Sequence, residues 1–496
     1  MDFQKFIQNL DRKYTTVLTT AILTIAAAWF AKRAIKKSNE FTIPGLKDIP
    51  SPEGEYFYLG VQNWVFVGEP EVAHDIFTTK GSLTSGRPYV TYGYKFHGEG
   101  DRGIVFTDYG KSWKNTRTAA LSILSPKSVD DLYHILDRET EFGVNLMLKD
   151  ALAVQNKEGG IDPLAYTRLT AMNIILATVF GIQGSLSVQD PLYKRVLHNL
   201  EQNSAFISIG SDISAYFPVL SFLDVIFRKE KKMRDFVEND SKPLYRHLIQ
   251  LARQSEQPSL VKELDSIKDS LNIDEQNMVA LTRGVDTISL AMAWVFAILC
   301  HYPKWQKRML DEVDLFIQNY GRLPLFTERQ ELPSMIAFIK ETIRYRPSFL
   351  LGVPHKATED IVYKDYLIPK GTLLIGSAHA NNNDPHFFSE PEKFKPERYL
   401  NDAKSIYASS NGNVQSRELF TFGWGRRICP GIYMAESEMF NWMTRLFQKC
   451  TIEPALSSTG ETNIPDIDDC IDFGSIVSPV PYKIRLVERN SVVIDE

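Results

Sequence analysis

The chain has 496 residues, 44% apolar and 24% charged, the balance of a globular protein and not of a disordered tail, a collagen or a coiled coil. Lys and Arg total 56 against 61 Asp and Glu, a net charge of −5, which excludes an overall basic field for nucleic acid. Cys300, Cys429, Cys450 and Cys470 are too few for a disulfide framework and lack C-x-x-C spacing, so the main body reads as reduced and cytosol-facing.

Residues 14–31, YTTVLTTAILTIAAAWFA, carry no charge. A helix of that length spans ~27 Å, against ~30 Å for a bilayer core. Lys32, Arg33, Lys36 and Lys37 follow it, and Lys5, Arg12 and Lys13 precede it among Asp2 and Asp11. The basic excess on the C-terminal side predicts an uncleaved single-pass anchor with a cytosolic body. A cleaved secretory signal and a buried or surface helix are the competing readings. Residues 1–40 are therefore expected to be the anchor with its basic stop-transfer segment, and 41–496 one large domain. The domain begins near the proline-dense connector IPGLKDIPSPEG at 43–54, which favours extended chain.

Most of the body reads as helical, with short β-prone pieces at 56–60, 65–67, 361–363 and 372–376 that imply a minor sheet. GEGDRG at 98–103 is formally G-x-G-x-x-G, but IVFTDYG after it starts no helix, and Glu99 and Asp101 would face a pyrophosphate. It is expected to be a flexible glycine-rich loop and not a nucleotide site. Trp113 and Arg117 in SWKNTR are i and i+4. The polar stretches 254–272 and 401–417 are expected to be surface loops. A long helix is predicted over 274–301, with Asp274 as N-cap and Pro303 beyond its end. Another is predicted over 334–346, where Glu341 and Arg344 share a face. Alone they would make only a solvated surface pair. Ala435, Met439, Trp442 and Leu446 form a core-facing stripe over 432–448.

FGWGRRICPG at 422–431 carries the strongest chemical signal. A lone intracellular cysteine is usually a small buried hydrophobe. Around Cys429, however, Gly423, Gly425 and Gly431 allow tight turns and close approach of a planar ligand. The start of the following helix, with Arg426 and Arg427, is expected to lower the thiol pKa. No His or Asp nearby in sequence would make Cys429 a hydrolytic nucleophile. A glycine-lined, arginine-flanked thiolate suits haem iron.

Phe422, Gly425, Arg427, Cys429 and Gly431 fill F-x-x-G-x-R-x-C-x-G, which resembles the haem-binding signature of cytochrome P-450. Glu341 and Arg344 in KETIR, Arg398 in FKPERYL, Trp113 and Arg117 in SWKNTR, and Gly284, Asp286 and Thr287 in RGVDT resemble further motifs of that family, in its order. The resemblance implies a mainly α fold with a small β-sheet region, the cytochrome P-450 fold, preceded here by one transmembrane helix. It implies haem b, with Cys429 as axial ligand through its thiolate. Arg117 and Arg427 would meet the propionates, Trp113 would cover the rim, and Phe422, Gly423 and Gly431 would lie in the haem-binding loop. His355 in GVPHKATED falls where the family often places a propionate contact, with an ordinary strand or surface histidine as the other reading. Arg398 would close a buried network with Glu341 and Arg344.

The implied activity is monooxygenation of a lipophilic steroid, terpenoid, fatty acid or xenobiotic. Electrons would come from NADPH through a partner reductase, with cytochrome b5 as a further candidate donor, at the endoplasmic reticulum membrane. Arg426 is a candidate reductase contact. Thr287 would hold the proton-delivering hydrogen-bond network and Asp286 would gate proton entry. Residues 85–105 and 196–230 would roof the pocket with Tyr89, Tyr92, Tyr94, Phe96, Phe206, Tyr216 and Phe217, which serve packing as readily as recognition. Arg283 departs from the family's usual small residue. It either pairs with Asp286, swings out to water, or receives a polar substrate group. A haem-thiolate isomerase, dehydratase or peroxygenase, or a non-catalytic haem protein, is the alternative function.

Overall fold

The structure is a computed structural model in which residues 56–59, 62–154, 160–207, 209–282, 287–401, 404–472 and 476–489 are described. The expected anchor and the proline-dense connector lie outside the described residues. Strands β1 (Tyr56–Leu59) and β2 (Gln62–Val67) form an antiparallel hairpin. β3 (His355–Lys356) lies antiparallel to β4 (Leu373–Gly376), which pairs in parallel with β2, giving the order β1-β2-β4-β3. Consecutive residues Leu373, Leu374 and Ile375 are all buried, as in a strand covered on both faces. β5 (Cys450–Leu456) and β6 (Ile484–Glu488) pair antiparallel in a second small sheet.

Helices make up the rest of the core. They include α1 (Lys111–Ile123), α2 (Tyr133–Val154) and α3 (Pro163–Phe180). Asp162 caps α3 through Leu164 N (2.9 Å), Pro163 occupies its first turn, and Gly181 ends it at φ 63°. α3 packs on α2 where Gly143 has no side chain, since a Cβ there would collide with the Thr170 hydroxyl. Among the described residues α3 alone is long and apolar enough to cross a membrane, but 67% of it is buried inside the fold.

Within the helix expected over 274–301, Glu275–Thr282 (α4) and Ile288–Leu299 (α5) are helical. Residues 283–286 lie outside the described set. α5 is buried on all sides from Met292 to Leu299, as a helix without a polar face must be. α6 (Pro303–Tyr320), α7 (Pro333–Tyr345) and α8 (Ile432–Lys449) pack around it. Phe296 meets Trp442 edge-on at 6.0 Å. The stripe Met439, Trp442 and Leu446 is buried as expected, and Ala435 is half-buried.

The stretch 254–272, expected as a loop, contains the helix Leu260–Leu271, with Ser259 as its cap and Val261 and Leu264 fully buried. Two apolar residues at i and i+3 anchor one face, a stripe too narrow to register in so polar a segment. Residues 401–417 hold only short turns among those described.

Glu436 on α8 is buried; Oε2 accepts from Ile406 N at 2.7 Å and Oε1 has no partner. Burial raises its carboxyl to about 7. The folded state thus holds this proton more tightly than the unfolded chain. Stability from this group is full below the ordinary carboxylate pKa and is lost as pH rises through about 7. Glu436→Gln is expected to be more stable than wild type at pH ~8, by up to about 3 kcal/mol, and equal to it at pH ~4. Denaturant titrations at the two pH values measure the difference.

Candidate active site

Cys429 sits in the turn before α8. Its N–H donates to Phe422 O at 2.9 Å, closing the loop that Phe422, Gly423 and Trp424 begin. Gly423 and Gly425 have φ of 82° and 53°, and a side chain at Gly425 would strike the Phe77 carbonyl. Both therefore need glycine. Arg417 fastens the loop from beneath. It is buried, donates to Leu419 O and Gly423 O, and stacks over Trp424 at 4.1 Å. Sequence reasoning missed it, because its position in a polar stretch carried no motif.

The thiol does not behave as its sequence neighbours suggest. Burial pushes Cys429 up, while the Gly431 backbone and Arg117 pull it down by less. Arg426 is exposed, and Arg427 points into the fold, away from the sulfur's charge balance. The expected lowering by Arg426 and Arg427 is therefore replaced by a weaker one from Arg117, whose Nη2 donates to Ile428 O beside the cysteine.

Arg117 belongs to a cluster drawn from distant segments. Arg427 donates to Ser85 O (2.8 Å), Ile104 O (3.0 Å) and Thr107 O (2.8 Å). Arg87 donates to Val105 O (2.9 Å), Val353 O (3.0 Å) and Pro354 O (2.7 Å). Trp113 lies between, its Nε1 donating to Ile104 O at 3.1 Å and its ring 4.2 Å from Arg427 and 5.5 Å from Arg117. Exposure of Arg87, Arg117 and Arg427 is 6%, 8% and 8%. Burial lowers all three pKa values, and Arg427 and Arg117 add to the effect on Arg87. Among the described residues none of these guanidiniums makes an ion pair. The nearby Asp108 carboxylate takes Arg87 N (2.7 Å) and Lys356 Nζ (2.8 Å) instead.

His355, on β3, joins the same cluster. Its buried ring shares a hydrogen with Thr84 O through Nδ1 at 2.8 Å, and burial followed by Arg87 holds its pKa well below the usual value. Three buried cations bonded only to neutral oxygens are expensive unless an anion answers them. The arrangement has the charge and donors to accept a carboxylate-bearing ligand. Arg87 is the member that sequence reasoning missed. Its neighbour Gly86 marks a backbone bridge to Lys356 and says nothing of a ligand.

Glu341 and Arg344 are not a surface pair. Both side chains are fully buried, with Nε–Oε2 at 2.7 Å and Nη2–Oε1 at 2.8 Å. Arg398 Nε reaches Glu341 Oε1 at 3.4 Å, and Lys395 N donates to the same oxygen at 2.7 Å. Arg344 also donates to Asn382 O (2.9 Å), and the Asn382 side chain holds Phe420 N (3.1 Å) and Thr421 Oγ1 (2.7 Å). The network thus reaches to within one residue of Phe422.

Thr287 stands immediately before α5, half-buried, its carbonyl accepting from Ala291 N at 3.2 Å. Among the described residues its hydroxyl makes no hydrogen bond back to its own helix. Arg283, Gly284 and Asp286 lie outside the described residues. Of the roof aromatics, Tyr92, Phe96 and Phe206 pack with Met233 and Phe236 in one cluster. Phe217 packs near Trp64, and Tyr89 and Tyr94 are exposed.

Residues 55–484 match the Cytochrome P-450 family, and the chain belongs to that family. A cytochrome P-450 monooxygenase of Armillaria gallica is 29% identical over 445 residues, covering 88% of this chain and 83% of its own. One of Ampulloclitocybe clavipes is 26% identical over 460 residues, covering 90% and 81%. A zebrafish cytochrome P-450 solved with progesterone superposes with a TM-score of 0.71 at 22% identity, covering 88% of this chain and 96% of that one. The fold is thus the mainly helical P-450 fold with small sheets. The protein is a fungal-type cytochrome P-450 monooxygenase whose cofactor is haem b.

Proposed function

We propose that this monooxygenase is membrane-associated and hydroxylates or epoxidises a lipophilic small molecule, with electrons from NADPH delivered by a separate reductase and cytochrome b5 as an accessory donor. The observation that carries the site reading is the trio of buried, ion-pair-free guanidiniums Arg87, Arg117 and Arg427 beside Cys429. Two propionates supply the charge that this cluster lacks. Haem b, when bound, provides dioxygen activation, which a thiolate ligand favours. In this reading Cys429 ligates the iron. Arg87, Arg117, Arg427 and His355 would hold the propionates, Trp113 would cover the rim, and Phe422, Gly423 and Gly431 would shape the haem-binding loop. Thr287 would hold a proton-delivering hydrogen bond and Asp286 would admit protons from solvent. Arg426, exposed on the loop of Cys429, offers the reductase a positive contact.

The reading is tested with purified enzyme, NADPH and reductase on a panel of lipophilic substrates. Product formation that needs both NADPH and reductase supports it; turnover with peroxide alone favours a peroxygenase. Thr287→Ala is expected to keep consuming NADPH while released hydrogen peroxide rises relative to product. Unchanged coupling removes Thr287 from proton delivery.

The reading keeps the 1–40 anchor, the 41–496 catalytic domain and the endoplasmic reticulum as proposals; membrane attachment alone has a second argument, from the surface. Val219, Phe222, Val225, Ile226 and Phe227 are 43%, 42%, 79%, 44% and 62% exposed. Arg228, Lys229, Lys231 and Lys232 follow them. A clustered apolar patch with a basic rim suits the interface of an anionic bilayer. A chain lacking residues 1–40 is expected to co-sediment with anionic vesicles, and Val225→Asp/Phe227→Asp to abolish that binding. Equal sedimentation of the two would assign the patch elsewhere.

A further inference from the structure

Asp108 borders the guanidinium cluster, yet among the described residues it pairs with none of the three arginines. It follows Thr107, whose carbonyl takes Arg427 Nη2 at 2.8 Å. Its carboxylate is engaged on both sides. Oδ1 accepts from the backbone N of Arg87 at 2.7 Å, and Oδ2 accepts from Lys356 Nζ at 2.8 Å. Three segments distant in sequence are thereby tied together. Two of them, 85–87 and 104–107, line the cluster with carbonyls, Ser85, Ile104 and Thr107 for Arg427 and Val105 for Arg87. The third is β3. There His355 turns inward to Thr84 O and Lys356 turns outward, as successive residues on a strand do. Glycine at position 86 permits the approach, since a Cβ there would stand 2.7 Å from Lys356 O and 3.3 Å from Asp108 Oδ1.

The charges of the cluster do not cancel. Where two propionates answer Arg87, Arg117 and Arg427, one positive charge is left over, and Asp108 is the carboxylate placed to meet it. Burial is what chiefly lowers the pKa values of Arg87 and Arg427, and Asp108 works against that lowering at both. Lys356 opposes Asp108 in turn. The pair stands partly in water, with side-chain exposures of 48% for Asp108 and 30% for Lys356. Solvent and salt therefore weaken its field, but the buried arginines it faces still feel it.

We propose that Asp108 sets the charge of the cofactor site, its carboxylate lowering the reduction potential of the haem held by Arg87, Arg117 and Arg427, and Lys356 limiting how far. This rests on the reading in which those arginines hold the propionates. Reduction adds one electron to the ferric haem, supplied by the reductase in turnover, so a negative charge at the edge of the site disfavours the ferrous form. Asp108 is a positioning residue and touches no reacting group.

The test is an anaerobic dithionite titration of the holoenzyme as wild type, Asp108→Asn, Lys356→Gln and the double variant. Asparagine keeps an oxygen for Arg87 N, so the charge changes and the tether stays. Asp108→Asn is expected to shift the ferric–ferrous equilibrium about two- to fivefold toward ferrous, which is about +18 to +41 mV at ~59 mV per tenfold. Lys356→Gln is expected to shift it toward ferric, and the double to return close to wild type. High salt should shrink both shifts. Opposite signs separate a field from a fold, because loosening a shared tether moves both variants in one direction. Haem transfer to an apoglobin is followed on the same samples. If Asp108→Asn does not retain haem, Lys356→Gln and Asp108→Glu carry the test, the first with a lowered potential and the second with that of wild type. An unchanged potential in Asp108→Asn, shifts of one sign in both single variants, or faster haem loss from both overturns the proposal. A wild type that forms no thiolate-ligated carbon monoxide complex overturns the propionate reading and the proposal with it. A wild type that forms this complex, with variants that do not shift, overturns the proposal alone.

Discussion

Cys429→Ala is expected to abolish the thiolate-specific absorption of the reduced carbon monoxide complex and to cut turnover by at least about three orders of magnitude, as removal of a catalytic group generally does. Nothing else in the chain can replace it. Burial pushes Cys300 and Cys450 to about 12, and Cys470 is exposed on a separate strand. The structure adds a condition that the motif hides. Burial raises the Cys429 thiol, and Arg117 offsets this only in part. In the proposed reading the thiolate would therefore depend on the metal, because a coordinating thiol is deprotonated outright. Haem-free protein should accordingly react slowly with thiol reagents near pH ~7, and faster as pH is raised past the thiol's ordinary range. Cys429→Ser tests the ligand separately from the space it fills, since the hydroxyl fits but is a poor soft donor. Persistence of the band in either variant would refute the ligation.

Glu341→Gln is the second large effect, and it falls on stability. Glu341 and Arg344 are both fully buried. Removing the carboxylate charge leaves a guanidinium in a dry interior, at a cost of about 3–5 kcal/mol. That is a large part of the ~5–15 kcal/mol that keeps a domain folded. The amide is also the wrong shape for the site. Glu341 Oε1 accepts from Arg344, Arg398 and Lys395 N, while Oε2 accepts from Arg344 Nε, so whichever position the NH2 takes sets donor against donor. Haem retention should fall with stability, because Arg344 is linked through Asn382 to Phe420 and Thr421 at the head of the cysteine loop. Arg398→Ala, at the 11%-exposed rim, should cost only about 1–2 kcal/mol, the loss of charge-assisted hydrogen bonds. Denaturant midpoints and haem occupancy measure both. Equal losses for the two variants, or a Glu341→Gln as stable as wild type, would show that the pair is not the keystone of this network.

What the sequence by itself determined is what neighbouring residues encode. Pro333 and Pro347 bracket α7, Gly423 and Gly425 force the turns before Cys429, and the stripe on α8 points its apolar side inward. Turn chemistry and periodicity are local, so these features were legible without knowing what packs against them. The spacing of Glu341 and Arg344 gave a shared face but not its burial. Only the tertiary structure decided the rest. It made a packed helix of 260–271. It brought Arg87 into the cationic cluster through carbonyls 266 and 267 residues away, and it turned Arg427 from the cysteine toward Ser85. Burial and charge pairing depend on which distant segments close over a residue. The ionisation of Cys429 and the partners of Arg427 therefore exist only once the chain has folded.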